Sequence, residues 1–430
     1  MNDSAGKRVL MLLENSVYPH DSRVFSVATA LTAAGYHVTV IAPAISEQRL
    51  HEVLNGVRVC RFPFRTSGNG LLGYLWEYGY SMAATFVLSL FVFARYGFDV
   101  VHANNPPDTF VFIAAFYKLF GVRFVFDHHD LSPEMYCARF GRRSRRIIYQ
   151  VLVFFEKLSC RLADHVIATN ESYKAIQMQR GRVPEHRITI VRNGPDLDRV
   201  RLVDPDPGLR QRGRTIIGYM GAMGAQDGVD YLLRALWHLI HDLRRTDFYC
   251  VLIGPEDPGV GLQALTRELG LEEYVWRTGY IPHADLLRYL STADICVDPD
   301  PSNPFNDRCT MTKMMVYMAL GRPIVAFDLP EHRYTALEAA SYVKPNDELA
   351  FARALAELMD DAERRRAMGS FGRRRVESKL AWSYSVPALL EVYRTVTGAP
   401  AASEANSMAL ESHAGVQPEV AACEIADASR

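Results

Sequence analysis

Apolar residues along this chain fall into short unbroken runs separated by longer amphipathic stretches, the pattern of strands buried on both faces alternating with helices. Residues 8–13 read as the first such strand, 24–34 as a helix closed by Gly35, and 37–42 as the next strand. A third strand at 99–102 leads through a helix at 110–120 into a fourth at 123–126. A strand at 165–168, a helix at 171–180 and a strand at 188–191 complete the series. A second series starts at 215–220, with further strands at 248–253 and 275–278 and helices at 231–243, 262–269 and 285–292. Strands alternating with helices imply parallel sheets, so the expected class is α/β with two doubly wound, Rossmann-like halves. Between them the polar segment carrying Pro205, Pro207 and Gly208 reads as a hinge-permitting linker. The expected domains are residues 1–195 and 214–380, joined by 196–213. From residue 399 to 430 the composition turns to Ala, Ser and Glu, and disorder is expected there.

The stretch 294–327, ADICVDPDPSNPFNDRCTMTKMMVYMALGRPIVAF from its preceding alanine, reads strand, polar loop, helix, strand. Thr310 or Thr312 offers a hydroxyl to cap a helix that runs to Leu320 and stops at Gly321. A loop that opens a helix presents unpaired N–H groups and the positive end of the dipole, a natural seat for a diphosphate. Lys313, one turn in, adds a charge. The loop 221–228, GAMGAQDG, lets backbone approach a ligand closely, with Gly221, Gln226 and Asp227 as its candidate contacts. Glu331 follows the strand after the motif helix and is a candidate for the same ligand.

In the first half, two loops lie beyond the carboxyl ends of strands, where ligands of parallel sheets gather. One carries Asn104, Asn105 and Asp108; the other runs Asp127-His128-His129-Asp130 and continues to Pro133 and Glu134. Adjacent histidines seldom point the same way from an extended chain, which disfavours a metal site. A histidine held by a carboxylate, able to touch a sugar hydroxyl, and a pair that merely satisfies loop hydrogen bonds both remain open. Asp21 is the expected cap of the first helix. Arg23 stands against the helix dipole, so it answers to a group outside the helix, in an ion pair or an acceptor contact.

The runs N-D-x-x-T-M-x-K and Y-M-A-x-G-x-P-I-V resemble the donor-sugar motif of retaining glycosyltransferases of family 4, which have the GT-B fold of two domains facing a central cleft. The resemblance covers nearly all of residues 7–397. It implies transfer of a sugar from a nucleotide-diphosphate donor with retention, without a metal or other cofactor. It places donor contacts at Asp307, Arg308, Thr310, Met311, Thr312 and Val316, and a catalytic histidine at His129 in D-x-H-D-L-x-P-E. Asp21, Arg23, Asn104, Asn105, Asp130 and Glu134 are then acceptor-side candidates, and a helix over 381–398 is expected to cross back to the first domain. Three departures stand out. Val316 replaces the acid that binds the ribose, Arg308 replaces a partner acid eight residues earlier, and the loop 221–228 lacks the family's basic phosphate ligands. A GT-B nucleotide-sugar epimerase and a catalytically weak binding subunit are the competing readings.

Composition adds limits. A chain of 430 residues, 49% hydrophobic, is long enough for two cores, and a formal charge of −1 gives no reason to expect a nucleic-acid partner. Seven scattered cysteines without a C-x-x-C pair fit a reducing cytoplasm, and no signal peptide is expected. The 17 uncharged residues 78–94, diluted by Gly, Ser and Thr, read as a buried or interfacial helix rather than a span. Arg139, Arg142, Arg143, Arg145 and Arg146 crowd beside an apolar run, as peripheral contact with anionic lipid would require. A polyprenyl-diphosphate-linked glycan acceptor at the inner face of the cell membrane is the corresponding expectation.

Overall fold

The structure, a computed structural model, describes residues 6–44, 48–63, 71–141, 144–257 and 259–398. The tail expected to be disordered, and Arg142 and Arg143, lie outside the described residues. The chain forms two compact units, the first built from residues 1–194, 303–311 and 379–400, the second mainly from 195–302 and 312–378.

The first unit runs β1 (Arg8–Leu12), α1 (Ser22–Ala33), β2 (His37–Ala44), β3 (His51–Leu54), β4 (Val57–Pro63), α2 (Leu71–Tyr96), β5 (Val100–Asn104), α3 (Val111–Lys118), β6 (Arg123–His128), α4 (Ser132–Phe140), α5 (Arg146–Leu162), β7 (His165–Ala168), α6 (Glu171–Gln179) and β8 (Ile188–Ile190). Its eight-stranded sheet has the order β3-β4-β2-β1-β5-β6-β7-β8, parallel except for the β3–β4 hairpin. That hairpin was not legible in the sequence, because Asn55-Gly56 joins strands whose outer member alternates between exposed and half-buried positions. The central strands are buried along their length, because apolar layers cover both faces.

The second unit runs α7 (Pro207–Arg210), β9 (Thr215–Met220), α8 (Val229–His241), β10 (Phe248–Ile253), α9 (Leu262–Glu268), β11 (Val275–Gly279), α10 (His283–Thr292), β12 (Ile295–Asp298), α11 (Thr312–Ala319), β13 (Ile324–Phe327), α12 (Pro330–Ala336), β14 (Ala340–Val343), α13 (Glu348–Asp360) and α14 (Ala362–Arg375). Its six strands are all parallel, in the order β11-β10-β9-β12-β13-β14. The segment read as a linker contains α7 and is tied to this unit. Asp206 N–H donates to the Thr292 hydroxyl at 2.7 Å, and Arg210 pairs with Asp294 at 2.9 Å.

The last helix, α15 (Trp382–Thr397), belongs to the first unit. Leu389, Val392, Tyr393 and Val396 recur at helical spacing and are buried in the core layer that also holds α1. Each contributes about 1.5–3 kcal/mol by leaving water. The Tyr393 hydroxyl lies 2.7 Å from His102 Nδ1, fixing the end of this helix against β5.

Candidate active site

At the carboxyl edge of the first sheet, Asp127 organises four elements. Arg23 reaches it from α1 with Nε at 2.8 Å and Nη2 at 2.7 Å, while His102 Nε2 from β5 lies 3.3 Å away. His129 Nδ1 stands 3.7 Å from the other side of the carboxylate. Burial alone would raise the Asp127 carboxyl, but Arg23 and the two imidazoles hold it well below its ordinary range. Burial pushes His129 the opposite way from its partner; the Asp127 carboxylate beside it, joined by Asp130, wins, and its pKa is raised. With Nδ1 turned to Asp127, Nε2 is the ring atom available to a ligand.

The His129 backbone is fixed as well. Asn105 Oδ1 accepts from the N–H groups of His129 at 2.8 Å and Asp130 at 3.1 Å, and Asn105 Nδ2 donates to the Asp130 carbonyl. Asp21 caps α1 by accepting from the Val24 N–H at 2.8 Å. Burial raises the Asp130 carboxyl despite the histidines beside it. His128 points the other way, into the core, stacked on Phe126 and 3.5 Å from Glu156.

Three acceptor-side candidates have structural work instead. Glu134 is buried and paired with Arg180 at 2.5 Å, which also holds Glu156, so its carboxylate is engaged inside the unit. Asn104 is fully buried and donates to the Leu12 carbonyl at 3.0 Å, tying β5 to β1. Arg23 is turned inward to Asp127 and the Val191 carbonyl, which resolves the charge placed against its helix dipole.

The donor motif divides between the units. Residues 303–311 pack with the first, where Phe305 and Cys309 are buried in its core and Met311 packs against it. Asn170 Nδ2 donates to the Arg308 carbonyl at 2.8 Å and the Thr310 hydroxyl at 2.9 Å, while Tyr173 Oη meets Cys309 Sγ at 3.0 Å. α11 starts at Thr312, two residues after the Thr310 hydroxyl that Asn170 meets. Arg308 bends back to the Pro304 carbonyl, and Asp307 is half-buried beside it.

In the second unit, Lys313 lies beneath the glycine loop. Its Nζ sits 2.8 Å from Asp300, 3.5 Å from Asp298 and 5.0 Å from the Tyr219 ring. A Cβ at Gly221 would stand 3.8 Å from Lys313 Cε, so this cation of α11 lies directly below the loop. Burial pushes the Asp300 carboxyl well above its ordinary range with the help of Asp298, whereas Lys313 and His332 hold Asp298 below it. Gly224 N–H and Gln226 Nε2 both donate to Asp227, at 2.8 and 3.0 Å, which folds the loop on itself. Gly254 (φ +135°) is required alongside, since a Cβ there would meet the Gly221 carbonyl at 2.0 Å. Val316 is half-buried on α11, and Glu331 is buried in the first turn of α12.

Asp298, Asp300 and His332 were missed as site residues. Their ligand atoms lie within 4.8 Å of one another, a spacing that could hold a cation, and Lys313 already places its ammonium on both carboxylates. The signal was Asp298 and Asp300 in D-P-D-P, directly after a strand whose carboxyl end faces the ligand side.

Two parallel-sheet units with glycine and histidine loops at their strand ends define a two-domain GT-B fold. Residues 22–199 match the model of Glycosyltransferase Family 4, and residues 214–361 that of Glycosyl transferases group 1. The chain belongs to the GT-B glycosyltransferases. It is 25% identical over 245 residues to D-inositol 3-phosphate glycosyltransferase of Thermobispora bispora, a match covering 54% of this chain and 56% of that relative. The structure of sucrose-phosphate synthase from Thermosynechococcus elongatus superposes with a TM-score of 0.75 at 20% identity, covering 92% of this chain and 100% of that one. Anabaena HepE in complex with UDP and glucose superposes with a TM-score of 0.67 at 16% identity, over 91% of this chain and all of HepE.

Proposed function

We propose that this glycosyltransferase moves a hexosyl or N-acetylhexosaminyl group from a nucleotide-diphosphate donor to an acceptor with retention at the anomeric carbon, in assembly of a cell-surface polysaccharide or glycolipid. The observation that carries the donor class is the Gly221 loop, backbone that a diphosphate can approach, set over the Lys313 ammonium that Asp298 and Asp300 hold in place. The complex of HepE with UDP and glucose supports the same donor class. The resemblance noted above supports retention, and the carboxylates beside His129 bear on its course: Asp127 is locked to Arg23, and Asp130 is half-buried with a raised pKa. Neither is a free nucleophile for double displacement. A front-face course fits, in which the departing phosphate takes the acceptor proton while His129 Nε2 orients a hydroxyl of the transferred sugar. The chemistry asks for no metal or other cofactor.

A panel of nucleotide sugars offered to wild type and His129→Ala tests this. Acceptor-dependent nucleotide release is expected, and His129→Ala should lower kcat by about 10²-fold or more without unfolding the chain. A new nucleotide sugar formed without acceptor would identify an epimerase. Nucleotide-sugar binding without turnover would identify a binding subunit.

A further inference from the structure

Two helices of the first unit carry large apolar side chains on their outer faces as well as on their inner ones. On α2, Val92 is buried with Ser81, Thr85 and Ser89, and Met82, Phe86 and Phe93 pack on the core, while Trp76, Val87, Leu90 and Phe91 are exposed. On α5, Glu156, Ser159 and Cys160 are buried, and the opposite side presents Ile147, Val151 and Phe154 to the outside at 65%, 44% and 57% exposure. A helix on a water-soluble surface carries polar side chains on its outer face instead. Between them α3 exposes Phe112, and Leu119 and Phe120 follow at its end.

These faces are continuous. Phe86 of α2 packs edge-on against Phe116 of α3 at 5.2 Å, and Phe112 of α3 against Phe155 of α5 at 5.7 Å. An apolar patch of three helices is far beyond scattered surface residues and marks a contact surface. Its border is basic: Arg139, Arg145 and Arg146 are exposed at the entry to α5, and Lys157 and Arg161 flank its apolar stripe.

We infer that the α2–α3–α5 face is a peripheral membrane-docking surface, seated in the interfacial layer of an anionic bilayer. Charge decides between occupants. A second copy related by a two-fold axis would bring the same arginines toward each other, whereas phosphate headgroups complement them. Docking is peripheral because α2 stays part of the unit: it packs against β2 and β4, and Ser89 Oγ is 2.8 Å from Tyr117 Oη. The inference deepens the lipid-linked acceptor reading of the proposed function, since such a surface would bring the enzyme to an acceptor held in a membrane.

The test is flotation of the full chain with vesicles of phosphatidylcholine alone or mixed with phosphatidylglycerol, at low and high salt. Wild type should float with the anionic vesicles and less so at high salt. Ile147→Ser/Val151→Ser/Phe154→Ser should lose about tenfold or more of the bound fraction, because the apolar area that enters the layer is gone. Arg145→Glu/Arg146→Glu should lose the preference for anionic lipid. Thermal melting of both variants should match wild type, as the altered side chains are exposed, and soluble donor turnover should be unchanged. Flotation that is absent, or equal in all three proteins, overturns the inference. So does a concentration-dependent dimer that the serine variant dissolves while vesicles remain unbound. Binding without any sugar transfer would leave the surface standing and remove the proposed function.

Discussion

Substituting Asp127 by Asn keeps the shape of the side chain and removes its charge, isolating the ion at the centre of the histidine site. Arg23 is only 5% exposed, so its guanidinium cannot turn to water once the partner charge is gone. It would keep the Val191 carbonyl and Asn193 at Nη1, and the new amide oxygen could accept one of the two hydrogen bonds now made to the carboxylate. Breaking one side of a buried pair typically costs 3–5 kcal/mol, and these surviving acceptors place the expected loss near the lower end, at about 3 kcal/mol. The same change removes what raises His129, so its pKa should fall and the acid limb of the activity profile should move to lower pH. Urea denaturation at neutral pH measures the first effect, and the pH dependence of kcat the second. Replacing both partners with apolar residues, Arg23→Met/Asp127→Leu, should cost less than Asp127→Asn alone, because no lone charge is left inside. A loss under about 1 kcal/mol for Asp127→Asn, with an unmoved pH limb, would refute the reasoning.

Three further outcomes follow. Lys313→Met leaves the Asp298 carboxylate buried without its cation and should cost roughly 3–5 kcal/mol as well as weakening UDP binding, whereas Asp300→Asn, at the carboxyl that burial raises, should cost less than that; comparing their denaturation curves checks the assignment. Burial raises Glu14 to about 7, with Glu77 adding to the rise and Ser81 opposing it, so the folded state binds a proton that the unfolded state releases; stability from this group is full below pH 4.5 and is lost as pH rises toward 7, and Glu14→Gln should flatten that slope in melting curves across the window. Val316→Glu should tighten UDP relative to dTDP in calorimetric titrations, by roughly 1–3 kcal/mol if the new acid pairs the ribose hydroxyls, and no difference would show that residue 316 does not meet the ribose.

The alternation of buried strands and helices was readable because both sheets are covered on both faces, leaving nearly continuous apolar runs. The β3–β4 hairpin was not, since its outer strand has too few buried positions to show a period. His129 and its carboxylate setting were visible in one short run of sequence. Arg23 and His102 come from other elements and only tertiary packing selects Asp127 as their common centre, as it brings Asn105 to the His129 backbone. The same holds for Lys313. Its place on the motif helix was clear, but its position under the glycine loop depends on the approach of α11 to the ends of β9 and β12. Beside the departure that looked most damaging, a phosphate loop without basic residues, that neighbouring helix places the Lys313 ammonium. Residues 303–311 misled for a related reason: they lie between two elements of the second unit in sequence yet pack in the first.

The central claim is sugar transfer with retention, and the anomeric proton of the product tests it most directly. With the active nucleotide sugar and its acceptor, proton NMR of the new glycosidic linkage should show the same anomeric configuration as the donor, formed together with free nucleotide diphosphate. An inverted linkage would contradict the front-face course, and a donor that is consumed with no new linkage would contradict the transferase itself.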